Sequence, residues 1–309
     1  MEQFLGTNTW GIDFILWVQT FSHPLLDAFF KAITWLGSIY GYMVILPIIF
    51  WCIDRQTGQR LFFLVMFSEW VSTFLKNLFK VPRPDPTIVR QPLPETTFSF
   101  PSDHAQTGGV VFWGYLASRV RRTWFTILAV VMAFLLGASR IYLGVHHPQD
   151  VLAGWIVGLV ILGVVLKLEP TLVRRWSQMS LRSQVAVIVI VPLLLLLLVP
   201  SDENGRYPGE MAGRLAGVVI GAGLGSLLEL RTVRFRVDGP WWQRILRYIV
   251  GIALVLATYL IGSQIPELSP WGLDTAVRLI RYIVLGLVSF WIAPWVFTRL
   301  KLATSDLPR

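Results

Sequence analysis

The chain has 309 residues, of which 54% are hydrophobic and 15% are charged, and its mean hydropathy is +0.61. About a quarter of the residues in a soluble domain are charged, so this composition excludes an ordinary soluble protein and predicts an integral membrane protein. The formal net charge of +9 does not indicate nucleic-acid binding, because no basic-aromatic face or known binding module accompanies it.

The N-terminal region, residues 1–38, is predicted to form helices that lie in the membrane interface. It mixes aromatic side chains with Asp13, Asp27 and Lys31, a pattern that suits helices in the interface or at the edge of the bundle better than a clean span. The first four residues carry no positive charge, so we expect no cleaved signal peptide. The single cysteine, Cys52, excludes an internal disulfide bond and is expected to pack in a helix.

Nine apolar segments follow, most of them close to the ~20 residues that span a bilayer. They are residues 39–53, 61–80, 104–118, 123–142, 150–168, 184–199, 211–230, 244–263 and 275–297. The predicted fold class is therefore an all-α membrane protein with about nine spans.

In the C-terminal spans, Gly217 and Gly221 have the spacing of a small-residue helix-packing pair. We expect these spans to have no cluster of buried charges comparable to the three polar clusters described below, and so a role in packing or oligomerisation.

Loop charges predict how these segments are oriented. Alternate loops are rich in arginine, and by the positive-inside rule their face of the membrane is cytoplasmic. These basic loops lie near residues 55–60, 119–122, 167–182 and 231–247. The opposite loops, near 202–204 and 266–268, are acidic or neutral. The basic exceptions on that opposite face include Lys76, Lys80, Arg83 and Arg140.

Three short polar clusters interrupt the apolar sequence. Ionisable residues at membrane depth are costly and are therefore candidates for function. The alternation of loops places all three clusters on the predicted non-cytoplasmic side, where one site could contain them. The clusters are Lys76 with Arg83-Pro84, Pro101-Ser102-Asp103-His104, and Ser139-Arg140 with His146 and Asp150.

The first cluster has residues that can bind phosphate. Lys76 and Arg83 are seven residues apart, about two helical turns, so a helix would place them on one face. Pro82 and Pro84 interrupt the helix and allow Arg83 to turn into a pocket. Arginine can bind two oxygens through its planar fork, whereas lysine acts as a point charge. The alternative is a pair of basic residues that snorkel at a helix end.

The second cluster begins a helix. Ser102 at a helix start would leave backbone N–H groups and its own hydroxyl free to bind an anion. His104 would lie beside the bound phosphate, where an imidazolium can protonate a leaving oxygen. The alternative is an ordinary helix cap followed by a surface histidine.

The third cluster can supply a nucleophile. His146 and Asp150 are four residues apart, and Pro148 between them fits the first turn of a helix. An aspartate bonded to one imidazole nitrogen fixes the tautomer and leaves the other nitrogen free to attack. Arg140, at the end of the preceding span, can reach the same phosphate. His147 is a rival nucleophile, ranked second because its spacing to Asp150 is three and it directly precedes a proline.

Together these motifs resemble the type 2 phosphatidic acid phosphatase (PAP2) and vanadium haloperoxidase superfamily, whose signature is K-x6-RP, PSGH and SR-x5-H-x3-D. The resemblance implies that His146 forms a phosphohistidine, that Asp150 orients it and that His104 is the general acid. It also implies that neither a metal nor another cofactor is required. The phosphate-binding residues would be Lys76, Arg83, Ser102, Asp103 and Arg140.

The resemblance covers about residues 35–168. It implies a six-helix phosphatase core at 39–168, between the N-terminal helices of 1–38 and an additional transmembrane extension at 169–309. One position departs from the signature, because Asp103 stands where the family usually has glycine. We expect its backbone N–H to bind phosphate while its carboxylate turns to solvent or to a basic neighbour. An aspartate at this position resembles the variants of the motif in bacterial isoprenyl pyrophosphate phosphatases. This resemblance slightly favours isoprenyl pyrophosphates as substrates.

The resemblance implies a membrane phosphatase for lipid phosphates such as phosphatidate, isoprenyl pyrophosphates or sphingoid phosphates. The expected location is the bacterial inner membrane, with the active site on the non-cytoplasmic side. The expected partners are the lipid substrate and membrane lipids, with a homo-oligomer also possible. Two alternatives stay open: a phosphatase of soluble sugar phosphates, similar to glucose-6-phosphatase, and a non-catalytic lipid-phosphate transporter.

Overall fold

The computed structural model describes residues 9–266 and 271–307, and the regular structure in these two ranges is helical. Within them, the only β-type pairing is an isolated bridge between Phe235 and Ser305. The predicted all-α fold is thereby confirmed. Residues 1–4, for which no cleavage was expected, and part of the predicted neutral loop at 266–268 lie outside the described residues.

Twelve α-helices can be followed in the described part of the chain. They are α1 Thr9–Gln19, α2 Pro24–Leu36, α3 Ile39–Ile48, α4 Arg55–Phe79, α5 Trp113–Val120, α6 Thr123–Tyr142, α7 Pro148–Gln178, α8 Leu181–Leu198, α9 Glu210–Thr232, α10 Trp241–Ser263, α11 Trp271–Leu287 and α12 Ala293–Arg299. Three π-helical segments adjoin them: Ile49–Ile53 follows α3, His104–Phe112 leads into α5, and Val288–Ile292 joins α11 to α12.

The described residues contain fewer candidate membrane spans than the predicted nine. In the described residues, 7 helices are long and apolar enough to cross a membrane, or up to 8 if α2 and α3, bent by 60°, form one span. The remaining predicted segment, 104–118, is helical, but its two parts have only 9 and 8 residues. That length is at the lower limit for crossing the hydrocarbon core, and its π-helical part is buried inside the protein.

The chain forms two compact units. The first contains the described residues up to Tyr42, Phe67–Val173 and Asp202–Asn204; the second contains Met43–Met66, Arg174–Ser201 and the described residues from Gly205. All three polar clusters belong to the first unit. The domains expected from sequence, 1–38, 39–168 and 169–309, stay a prediction.

In the first unit, close backbone packing places the second cluster beside α7. A Cβ at Gly154 would lie 2.5 Å from the carbonyl oxygen of Ser102, and one at Gly158 would lie 2.9 Å from that of Gln106. Glycine at these positions therefore lets α7 approach the start of the π-helical segment. Gln106 also donates a hydrogen bond to the carbonyl oxygen of Ser68 in α4, at 2.8 Å.

In the second unit, α9 packs against α11 through small residues. A Cβ at Gly217 would lie 2.6 Å from the carbonyl oxygen of Leu279, and one at Gly221 would lie 2.1 Å from that of Ile283. Since a side chain cannot be accommodated at such distances, the predicted small-residue packing is confirmed.

The C-terminal helices contain buried charges of a different kind from the three clusters, in a network of ion pairs. Asp274 and Arg278 are 3% and 8% exposed, and they form an ion pair of 2.7 Å one turn apart in α11. Arg278 also pairs with Glu210 of α9. The two members in α11 compensate each other's charge inside the protein, and the link to Glu210 depends on how α9 packs against α11.

Candidate active site

The three clusters come together in the first unit. Lys76 lies in the last turn of α4, Arg83 in the segment after it, and Arg140 in the last turn of α6. His146 lies between α6 and α7, and Asp150 lies in the first turn of α7. Contacts described below link these residues, with Ser102, Asp103 and His104, into one continuous network.

His146 and Asp150 are in contact, as their spacing predicts. Nδ1 of His146 lies 3.4 Å from Oδ2 of Asp150, and both side chains are fully buried. The same Oδ2 accepts a hydrogen bond of 2.9 Å from the backbone N–H of His147. Asp150 lies in the first turn of the helix that begins at Pro148. Its carboxylate therefore contacts the preceding loop and faces one nitrogen of the His146 imidazole.

Ser99 also belongs to this pair, although no motif includes it. Its hydroxyl lies 3.3 Å from Nδ1 of His146 and donates a hydrogen bond to Oδ2 of Asp150. The Nδ1 side of the imidazole therefore has two partners, Asp150 and Ser99.

The opposite nitrogen of His146 contacts the guanidinium group of Arg83. Its Nε2 lies 3.1 Å from a terminal nitrogen of Arg83. Arg83 is itself held by the carbonyl oxygens of Thr97 and Val145, at 2.6 and 2.8 Å. Burial first, and then the charges of Arg83, Arg140 and Lys76, lower the pKa of His146 well below the ordinary histidine value. The imidazole is therefore neutral at neutral pH, with a lone pair available on one nitrogen.

Arg140 reaches the same region from α6. One terminal nitrogen donates a 2.7 Å hydrogen bond to the hydroxyl of Thr34, and the other binds Oε1 of Glu95. Oε2 of Glu95 lies 2.7 Å from Arg83, so one carboxylate bridges the two arginines. Sequence reasoning missed Glu95, because it lies in the irregular segment between the first two clusters, where no spacing rule applies.

Asp103, the departure from the family signature, turns toward a basic neighbour. Its Oδ1 lies 3.2 Å from Nζ of Lys76, 3.2 Å from Nδ1 of His104 and 4.0 Å from Nε2 of His146. Burial opposes its ionisation, but Lys76, followed by the two histidines, outweighs it and holds the pKa of Asp103 well below the ordinary value. One carboxylate oxygen therefore lies between two imidazoles and an ammonium group.

The two motif serines have different surroundings. The backbone N–H of Ser102 donates to the carbonyl oxygen of Asp150 at 3.0 Å, so it is not free for an anion as the sequence suggested. Its buried hydroxyl has no hydrogen-bond partner among the described residues. The hydroxyl of Ser139 donates to the carbonyl oxygen of Leu136 in its own helix.

The rival histidine, His147, is directed elsewhere. A Cβ at Gly11 in α1 would lie 3.3 Å from Nδ1 of its imidazole. Only the backbone of His147 contacts the carboxylate of Asp150 among the contacts described. Of the two neighbouring histidines, His146 is the one whose ring has an aspartate on one side and an arginine on the other.

Comparison with known proteins agrees with these motifs. The PAP2 superfamily domain matches residues 58–174, and the domain described as "PAP2 superfamily phosphatase, transmembrane extension" matches residues 213–305. The chain is 30% identical over 234 residues to the "Probable sphingosine-1-phosphate phosphatase" of Dictyostelium discoideum, a match that covers 71% of this chain and 57% of that protein. It is 40% identical over 90 residues to the undecaprenyl-diphosphatase of Sulfolobus acidocaldarius, covering 28% and 41%.

A similar solved structure is that of a transmembrane PAP2 type phosphatidylglycerolphosphate phosphatase from Bacillus subtilis. Its identity to this chain is 25%, its TM-score is 0.46, and the match covers 53% of this chain and 87% of that one. The chain spans about half the length of the curated relatives that it matches. From the two domain matches, the chain belongs to the PAP2 superfamily and carries both its core domain and its transmembrane extension.

Proposed function

We propose that the protein is a membrane phosphatase that releases phosphate from lipid phosphate monoesters or pyrophosphates through a phosphohistidine at His146. The observation that carries this proposal is the environment of the His146 ring. Its Nδ1 faces Asp150 and Ser99, while its Nε2 faces Arg83. A neutral imidazole held in this way has a fixed tautomer and a nucleophilic nitrogen beside a cationic site.

In the first step, Nε2 of His146 attacks the phosphorus atom and forms a P–N bond. The bond between phosphorus and the leaving oxygen breaks, and that oxygen takes both electrons and a proton from His104. Lys76, Arg83 and Arg140 neutralise the charge on the non-bridging oxygens as the transition state forms. The products of this step are the free alcohol, or the shorter phosphate, and a phosphohistidine.

In the second step, water attacks the phosphorus atom of the phosphohistidine. His104, now neutral, accepts a proton from the water while the P–N bond breaks and its electrons return to His146. Inorganic phosphate leaves, and both histidines regain their starting state. The cations on the protein carry out the charge neutralisation, so we expect turnover to continue in excess chelator.

Lipid substrates are supported by the setting of the site and by the names of the relatives. In the described residues, the chain that carries the site has 7 helices long and apolar enough to cross a membrane, or 8 if the bent pair α2–α3 is one span. The matched relatives are named for sphingosine-1-phosphate and undecaprenyl diphosphate, both lipids with a terminal phosphate. We further propose that this membrane is a bacterial inner membrane. The loop charges favour a site that opens on its non-cytoplasmic side.

Two histidine variants test the proposed reaction. His146→Ala should reduce phosphate release by at least ~10³-fold, since removing a nucleophile leaves only the binding groups. His147→Ala is the matched control and should keep most of the activity. Release would be measured in detergent with phosphatidate, sphingosine-1-phosphate, an isoprenyl pyrophosphate and glucose 6-phosphate.

The same experiment separates the alternatives. Unchanged turnover in His146→Ala would rule out the proposed nucleophile. Lipid phosphate binding without release in the unmodified protein would support a transporter. Preference for glucose 6-phosphate over every lipid would place the protein with the soluble-substrate phosphatases.

A further inference from the structure

Glu95 occupies the position between the two arginines of the candidate site. Its Oε2 lies 2.7 Å from a terminal nitrogen of Arg83, and its Oε1 accepts a hydrogen bond from Arg140. These are the guanidinium groups to which the proposed mechanism assigns the non-bridging oxygens of phosphate. Nε2 of His146 lies 3.1 Å from another terminal nitrogen of the same Arg83.

A carboxylate and a phosphate make the same kind of contact with arginine. Both present two oxygens to the N–H groups of the planar fork, and both pairs are charge-assisted. Burial opposes ionisation of Glu95, but Arg140 and then Arg83 outweigh it and hold the pKa of this carboxyl group below its ordinary value. Glu95 is therefore an anion at neutral pH, located where a phosphate would be expected to bind.

The three members of this bridge are anchored unequally. The side chains of Arg140 and Arg83 are 2% and 7% exposed, whereas that of Glu95 is 28% exposed. Both arginines have further partners, in Thr34 and in the carbonyl oxygens of Thr97 and Val145. The hydrogen-bond and ion-pair partners of Glu95 in the described residues are these two arginines alone. The carboxylate is therefore held by fewer contacts than either arginine and is more exposed.

We propose that Glu95 is an internal competitor for phosphate, which holds the two arginines in the empty site and is displaced by the phosphoryl group of the substrate. This inference rests on the proposed function of the site. A phosphate monoester carries about −1.5 to −2 charges at pH 7, so it can replace a single carboxylate charge between two guanidinium groups. After hydrolysis, return of the carboxylate favours release of the product phosphate.

The test measures phosphate binding without turnover. In a His146→Ala protein in detergent, the Kd of inorganic phosphate is determined by calorimetry with and without Glu95→Gln, which keeps the size of the side chain and removes its charge. We expect Glu95→Gln to tighten phosphate binding by ~10-fold or more, a change of about 1.4 kcal/mol. In the catalytic protein the same substitution should strengthen inhibition by product phosphate.

A matched control and a second variant complete the design. Glu203→Gln removes the same charge from an exposed residue of the first unit and should leave the Kd unchanged. Glu95→Asp keeps the charge on a shorter side chain that bridges both arginines less well, so intermediate tightening is expected. Glu95→Asp also provides the test of phosphate binding if the Glu95→Gln protein is unstable. Equal or weaker phosphate binding in the Glu95 variants would overturn the proposal.

A third variant separates failure of this inference from failure of the proposed function. Arg83→Gln in the His146→Ala protein should abolish phosphate binding. If phosphate binds equally well without Arg83, the assignment of the phosphate site itself is wrong. If Arg83 is required but Glu95→Gln changes nothing, only the role of Glu95 is refuted.

Discussion

At the scale of single residues, Ser99 joins the proposed nucleophile to the carboxylate that orients it. Its hydroxyl contacts both Nδ1 of His146 and Oδ2 of Asp150. The distance between those two atoms is 3.4 Å, longer than a strong hydrogen bond. Ser99 therefore contributes to fixing the imidazole, and the aspartate does not act alone.

We predict that Ser99→Ala lowers kcat by about tenfold with little change in KM, because ring orientation matters in the transition state more than in substrate binding. Steady-state kinetics with a short-chain lipid phosphate would measure both constants. Ser139→Ala is the matched control, since that hydroxyl bonds only to Leu136 of its own helix among the contacts described. An unchanged kcat in Ser99→Ala would show that Asp150 orients the ring unaided.

The residues of the site differ in how far sequence can predict them. His146 and Asp150 could be paired from their spacing alone, because a helix beginning at Pro148 leaves little choice of geometry. Ser99 and Glu95 lie in an irregular segment, where tertiary contacts decide which side chains turn inward. Ser102 shows the same limit, since its backbone N–H binds a residue 48 positions away that no local rule indicates.

At the scale of elements, α7 positions two clusters at once. Asp150 lies in its first turn, and Gly154, one turn later, packs against the carbonyl oxygen of Ser102. The helix and the start of the π-helical segment can come this close only because position 154 has no side chain. The sequence predicted both helices but not this contact, because a single glycine in an apolar span has many possible causes.

We predict that Gly154→Ala reduces both activity and thermal stability, because its Cβ would lie 2.5 Å from backbone that must then move. Overpacking of this kind costs about 1–3 kcal/mol. Gly163→Ala is the control in the same helix, where an added Cβ meets nothing within 4 Å. Melting curves in detergent and phosphate release would be compared. Equal behaviour of the two variants would contradict the proposed role of this contact.

At the scale of the whole molecule, charges occur in two settings, in the loops and buried between helices. The arginines in alternate loops predict the orientation from sequence, because the positive-inside rule depends only on loop composition. The buried pair of Asp274 and Arg278 could have been suspected from its four-residue spacing. Its link to Glu210 could not, because it depends on how α9 and α11 pack.

The predicted orientation can be tested by cysteine labelling. In a Cys52→Ser background, Glu203→Cys should react with a membrane-impermeant maleimide added to intact cells, because its loop is expected on the non-cytoplasmic side. Arg122→Cys should react only after permeabilisation. Both native residues are exposed, so access through the protein does not limit the reaction. The reverse labelling pattern would place the active site on the cytoplasmic face.

The hydrogen bond from Ser102 to Asp150 has a consequence for protein engineering. Asp150 holds the second cluster through its backbone oxygen and faces the nucleophile through its carboxylate. The second and third clusters thus share one residue as their common support. A chimera that exchanges either cluster with a homologue's, while keeping the other, must preserve this backbone hydrogen bond. Grafts should therefore transfer residues 99–106 and 146–154 together.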